Sequence, residues 1–198
     1  YILFNPTESI DLKEFIIQYF KSDICSNVNL GGIIVLHPIE LAYCLALINC
    51  RNRYSITPPW VIKNYPEVER IMSLLRNKPC ISGCTYCNKA LDHYEGLNHY
   101  FGFKSFRKYG EKPLQEDAVK AAIDNKSILV VFPTGGGKSI TFQLPALMSG
   151  DNMKGLTVVI SPLQSLMKDQ VDNLEKINIT DAVTINGLLD PIERSKSF

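Results

Sequence analysis

The sequence predicts an α/β protein carrying a helical region in front of a parallel sheet. Three observations carry this. From about residue 113 onward, short β-rich runs alternate with helical patterns. One of those runs ends in PTGGGKS, a glycine turn followed by Lys-Ser and a helical pattern. Residues 1–78, by contrast, show apolar periodicity of the helical kind and no obvious chemistry.

In the first region, Asp11 to Phe20 predicts an amphipathic helix. Asp11 can cap it with Glu14 three residues on, and Leu12, Phe15, Ile16 and Tyr19 share a face. Pro38 to Ile48 is apolar nearly all round and predicts a buried helix, with His37 at its start in a structural role. Glu67 to Arg76 follows Pro66 and places Val68, Ile71, Met72 and Leu75 at i, i+3, i+4 and i+7. The loop between the last two holds Pro58, Pro59 and the single Trp, Trp60.

Composition changes at Lys78, where Cys, Gly, Asn and His take over, and again after Phe101. The expected parts are a helical region over 1–78, a small Cys/His metal-binding element over 79–99, and an α/β domain from 100 to 198. Within the last, Pro113–Asn125 and Lys138–Leu147 predict helices flanking a strand at Ile128–Phe132. Pro145 should kink or end the second of these helices. Leu156–Ser161 predicts a second strand, Pro162–Glu175 a helix with Leu163, Leu166, Met167, Val171 and Leu174 on one side, and Ala182–Ile185 a third strand.

The bulk numbers fit this division. The 198 residues allow a sizeable core, and 45% hydrophobic with 21% charged residues is ordinary for a globular chain. A net charge of +1 excludes a global basic field, so any nucleic-acid surface must be local. The longest apolar run, near Leu41–Ile48, is far short of a membrane span, and YILFNPTESI has no basic signal region, so a cytoplasmic protein is expected. The lack of an initiator Met and of any terminal device predicts a piece of a longer polypeptide.

The PTGGGKS turn points to phosphate. Gly135, Gly136 and Gly137 let a backbone curl bring N–H groups close to phosphate oxygens, and the following helix adds its positive dipole end. Thr134 belongs to the same turn, Lys138 can reach the β- and γ-phosphates, and Ser139 can hold Mg²⁺. Phe132 stands where the P-loop pattern asks for its first Gly.

Those residues resemble the first helicase motif of superfamily 2, and GGGKSITFQLPAL in particular resembles the RecQ family of ATP-dependent DNA helicases. SPLQSLMKDQV, residues 161–171, looks like that family's motif Ia. FGFKSFR at 101–107, with PLQ at 113–115, resembles its adenine-recognition motif. The resemblance covers about half of the chain and implies a RecA-like domain. It implies that Phe103 stacks on adenine and that Arg107 and Gln115 contact the nucleotide. A Gln amide can donate to adenine N7 and accept from N6 at once. Seven residues separate Arg107 from Gln115, a longer spacer than the family's.

The resemblance further implies ATP and Mg²⁺ as cofactors, and DNA, single-stranded and at duplex junctions, as partner. It implies 3′ to 5′ translocation and unwinding in DNA repair and recombination. Ser161, Gln164, Ser165 and Lys168 would face DNA phosphates at the start of a helix, and Thr184–Gly187 is a further candidate. On spacing alone, Gln164, Ser165 and Lys168 equally fit the solvated face of an amphipathic helix. Hydrolysis needs an acidic strand end to hold the metal, and no apolar strand ending in Asp-Glu follows Ser139. The RecA-like domain is therefore expected to be incomplete, stopping before a DEAH-like motif, with a second RecA-like domain elsewhere in the same polypeptide and little activity in this piece alone. The rival readings are a non-enzymatic nucleotide-gated DNA-binding module and another P-loop ATPase.

Cys80, Cys84 and Cys87 form C-x3-C-x2-C, with Gly83 in the turn. Three such thiolates suit one zinc ion and need a fourth ligand: His93 first, then His99, with Cys50 more remote. The same spacing occurs in radical-SAM enzymes around a [4Fe–4S] cluster, but that reading expects an early barrel strand before the loop, and here a helix precedes it.

Overall fold

Helices form where the apolar periodicity places them. In the computed structural model, residues 11–190 are described apart from 22, 27, 29, 31, 49–56, 81–82 and 188, so Cys50 lies outside the described residues. Ten helices stand among them. The chain divides into two units, one running to Leu91 with Asn152–Lys154, the other comprising Asp92–Asp151 and the residues from Gly155 on.

In the first unit, α1 (Leu12–Phe20) is capped as expected: Asp11 Oδ1 accepts from the N–H groups of Lys13 at 2.9 Å and Glu14 at 3.2 Å. Leu12 and Ile16 are buried, and the Tyr19 hydroxyl donates to the Ile48 carbonyl at 2.9 Å. After α2 (Ile33–Leu36), α3 (Pro38–Ile48) buries Leu41, Cys44, Leu45 and Ile48, while Ile39 stays exposed, so the helix is half-buried rather than buried all round. His37 faces Glu40 at 3.6 Å, as a structural residue would. The short α4 (Pro59–Asn64) leads into α5 (Glu67–Leu75), whose Val68, Ile71 and Leu75 are buried and which packs on α3. The unit's last helix, α6 (Thr85–Ala90), adds Tyr86, Cys87 and Ala90 to the same core.

One buried polar side chain organises this unit. Asn77 is fully buried and adopts a left-handed backbone, φ 56°, that Asn tolerates better than most residues. Its Oδ1 accepts from the Cys25 N–H at 3.0 Å and its Nδ2 donates to the Asp23 carbonyl at 2.7 Å. Its own carbonyl accepts from the Tyr86 hydroxyl at 2.8 Å. A buried amide is tolerated only when so satisfied, and here it holds residues 23–25 against the end of α5.

In the second unit, α7 (His93–Phe101), α8 (Leu114–Ile123) and α9 (Ile140–Met153) enclose Leu97, Phe106, Val119, Leu144 and Met148. A Cβ at Gly96 would stand 2.9 Å from Met148 Sδ and 3.2 Å from a Leu144 methyl, so the bare glycine lets α7 lie close on α9. The helix does not end at Pro145: α9 runs on to Met153 with the proline inside it. Leu144 and Met148, buried on either side of the proline, anchor the helix across the missing hydrogen bond. The last helix is α10 (Gln164–Glu175).

The three expected strands are a second difference. Residues 128–132, 156–161 and 182–185 are non-helical, but no ladder joins them, and the one bridge among the described residues is Tyr109 with Lys112. A strand is defined by its partner's hydrogen bonds, and none of the three has such a partner among the described residues. Leu129, Val131, Leu156, Val158 and Ile160 are correspondingly exposed. The expected segment 79–99 is divided between the units, with Cys80 and α6 in the first and α7 in the second.

Asn77→Ala should lower the stability of the first unit by about 2–3 kcal/mol, because the buried Cys25 N–H and the partly buried Asp23 carbonyl lose their partner. Asn77→Gly, which fits the backbone but removes the amide, should lose most of the same amount. Urea unfolding followed by the single Trp, Trp60 on α4, reads this directly. Two variants as stable as the parent would contradict the role given to the amide.

Candidate nucleotide-binding site

The glycine turn is held from outside by its carbonyls. Arg107 Nη1 donates to the Gly135 carbonyl at 2.8 Å, the Tyr109 hydroxyl donates to the Gly136 carbonyl, and Gln115 Nε2 donates to the Gly137 carbonyl at 2.9 Å. Three successive carbonyls are thus taken by one segment, residues 107–115. In a planar trans peptide the N–H of the next residue points opposite to the carbonyl. The N–H groups of Gly137 and Lys138 are therefore turned away from that segment, as a phosphate cradle needs. The Gly136 N–H closes the turn on the Pro133 carbonyl at 3.0 Å.

Two glycines have no substitute. Gly137 has φ 69°, and a Cβ there would stand 2.6 Å from Gln115 Nε2. At Gly136 a Cβ would meet the Pro133 carbonyl at 2.8 Å and the Tyr109 hydroxyl at 2.9 Å. Phe132 is accommodated in place of a glycine because its ring stacks on Tyr109, centroids 4.7 Å apart.

The long spacer between Arg107 and Gln115 does not part them. Tyr109 and Lys112 pair their backbones at 3.0 and 3.3 Å around Gly110, φ 63°, and the segment folds back on itself. Gln115 Oε1 consequently accepts from the Arg107 N–H at 2.8 Å. Gln115 is 1% exposed and both ends of its amide are engaged by backbone. Phe103 is half-exposed and stacks on Phe101 at 6.4 Å.

Lys138 is exposed, and its ammonium rests on the carbonyls of Phe132 at 3.1 Å and Pro133 at 3.3 Å, at the mouth of the turn. Ser139 Oγ accepts from Gln170 Nε2 at 3.2 Å, and Gln170 Oε1 accepts from Gln143 Nε2 at 2.7 Å. Gln170 lies on α10, whose first turns carry Gln164, Ser165 and Lys168, all exposed. Ser161 Oγ turns onto the Leu163 backbone, 3.4 Å from its N–H and 3.3 Å from its carbonyl. Thr134 is exposed on the turn itself.

Three residues here escape sequence reasoning. Tyr109 lies inside an insertion, and Gln170 reads as one more polar position on a helix. Cys25 is the third. The sulfurs of Cys25, Cys80, Cys84 and Cys87 all lie within 4.8 Å of one another, whereas His93 is not in that group. His93 belongs to the second unit, where its Nε2 faces Glu116 Oε1 at 3.3 Å and its ring stacks on Phe106. Cys25, rather than the expected His93, stands beside the three clustered cysteines. Its isolation in sequence, 55 residues before Cys80, hides it. Hydrogen bonds from the Ser26 and Cys87 backbones draw the Cys84 thiol down to about 6, while burial pushes Cys87 up.

Residues 112–196, somewhat less than half of the chain, match the DEAD/DEAH box helicase family, a domain that implies a RecA-like fold. Within that class its homologues are RecQ-family enzymes. It is similar to the ATP-dependent DNA helicase RecQ of Bacillus subtilis, 47% identical over 87 residues, and to RecQ of Haemophilus influenzae, 51% over 79 residues. It is also similar to the ATP-dependent DNA helicase hus2/rqh1 of Schizosaccharomyces pombe, 47% over 83 residues. These alignments take in 40–43% of this chain but only 6–13% of the relatives' own length. No solved structure matches the chain.

Glu116, next to Gln115 on α8, supplies a pH test of the second unit. Lys120 at 2.6 Å and the Tyr94 hydroxyl at 2.7 Å, with His93 behind them, draw its carboxyl down from the usual 4.5 to about 2. A depressed carboxyl stabilises the fold above its unfolded value and loses that contribution as pH falls through its folded one. The thermal midpoint of the second unit should therefore fall between pH 4.5 and about 2, and Glu116→Gln should flatten that fall. Parallel curves for parent and variant would show that the carboxylate contributes nothing.

Proposed function

We propose that this chain supplies the nucleotide-binding turn and part of the DNA-binding edge of a RecQ-type ATP-dependent DNA helicase acting 3′ to 5′. The observation that carries it is the outward pinning of the Gly135, Gly136 and Gly137 carbonyls, which leaves the N–H groups of Gly137 and Lys138 turned towards a ligand. The names of the similar proteins, ATP-dependent DNA helicases throughout, supply the class of reaction.

The donor set fits a Mg²⁺-triphosphate. The N–H groups of Gly137 and Lys138 and the N-terminus of α9 would hold phosphate oxygens. The Lys138 ammonium would exchange the carbonyls of Phe132 and Pro133 for β- and γ-phosphate oxygens. Ser139 Oγ would ligate Mg²⁺, which neutralises charge on the phosphates. Phe103 offers a ring face to adenine. Gln115 acts chiefly as a brace, because pairing with adenine would require both its backbone bonds to be exchanged. Arg107 is likewise a brace through Gly135.

On the same reading, Gln164, Ser165 and Lys168 contact DNA phosphates from α10, with Ser161 shaping the turn before them. Gln170 links that helix to Ser139, so a change of ligand at the hydroxyl is felt by the helix on the strand. Hydrolysis and strand separation belong to the whole helicase, where a second RecA-like domain would close on this one. DNA junctions and a cytoplasmic setting complete the reading. Zinc has a structural place in it, apart from the nucleotide chemistry.

The full-length protein should hydrolyse ATP faster with single-stranded DNA. Lys138→Ala should lower kcat/KM for ATP at least 100-fold. Gln170→Leu should keep basal hydrolysis within about threefold while losing most of the stimulation by DNA. Unchanged turnover in Lys138→Ala would refute the assignment.

A further inference from the structure

The four-cysteine group of the first unit has a geometry of its own. Cys25 Sγ lies 3.3 Å from the sulfurs of both Cys80 and Cys87, and Cys80 and Cys87 are 3.4 Å apart. Each of these three sulfurs thus has two others at nearly equal range, which pairwise disulfides do not produce. Four sulfurs about 2.3 Å from a central ion have edges of about 3.8 Å. The observed cluster, all within 4.8 Å, needs shifts of only a few tenths of an ångström to about 1 Å to enclose one.

The surroundings are built for thiolates. The Cys80 N–H donates to Cys87 Sγ at 3.1 Å and the Cys87 N–H to Cys84 Sγ at 3.4 Å. Such bonds orient ligand sulfurs and offset the excess negative charge of four thiolates on one divalent ion. Cys25 comes from the other end of the unit and is delivered by the buried Asn77, which holds its N–H at 3.0 Å. The remaining described cysteine, Cys44, is outside the group and donates its thiol to the Val68 carbonyl at 3.4 Å.

We propose that Cys25, Cys80, Cys84 and Cys87 form a closed four-thiolate zinc site that clips the segment after α1 to the start of α6. The site is structural: four protein ligands leave no open position for a substrate. It stands on the first unit alone and does not depend on the helicase reading.

The test is metal content and cobalt spectroscopy of the intact polypeptide, neither of which reads ATPase activity. The parent should retain about one zinc per chain. Replacement by cobalt should give the thiolate charge-transfer absorption of a tetrahedral four-sulfur site. Cys25→His, which keeps a ligand atom, should retain the metal but lose about a quarter of that absorption, one thiolate of four. His93→Ala and Cys44→Ala should leave both readouts unchanged. No metal in the parent, full absorption in Cys25→His, or loss of metal in His93→Ala would overturn the assignment.

Discussion

The second unit depends on a constraint applied to carbonyls rather than to N–H groups. A glycine turn in isolation is an ensemble, and ordering one costs about 1–2 kcal/mol per residue in backbone entropy. Arg107, Tyr109 and Gln115 offset that cost by each holding one carbonyl of Gly135–Gly137. Once the carbonyls are fixed, peptide planarity fixes the opposite face. The donors meet at the turn because the backbone folds back around Gly110 and because Gln115 is buried at the start of α8. A ligand at that face would meet a preorganised loop, so that little binding energy would be consumed by ordering.

The first unit applies the same logic with a different group. Asn77 fixes the backbone at Asp23 and Cys25, and the sulfur of Cys25 follows to Cys80 and Cys87. In each unit a buried amide ties two segments distant in sequence by engaging both its oxygen and its nitrogen. Neither amide, Asn77 nor Gln115, is exposed, so neither can exchange its partners for water at little cost.

Helices were the most legible part of the sequence. Their signals are local: α3 spans the predicted residues, and α1 carries the predicted Asp11 cap. The turn was legible as well, since three glycines before Lys-Ser have few other uses. What stayed hidden is what distance in sequence hides. Cys25 stands 55 residues from Cys80, and His93, nearer in sequence, is held instead by Glu116. Pro145 predicts a kink or an end, and α9 does not end there, with Leu144 and Met148 buried on either side of it. The β-rich runs show the converse limit: a propensity for strand is local, but a ladder is not, and Leu129 and Val131 lie open where a partner strand would cover them.

The most direct measurement is a titration of full-length protein with a fluorescent ATP analogue, parent against Gly137→Ala. A methyl at that position would displace the Gln115 amide and force a backbone with φ 69° into strain. Saturable binding by the parent, weakened at least tenfold in the variant, is the predicted result. A parent that leaves the analogue unbound at millimolar concentration, or a variant that binds it as tightly as the parent, would contradict the account.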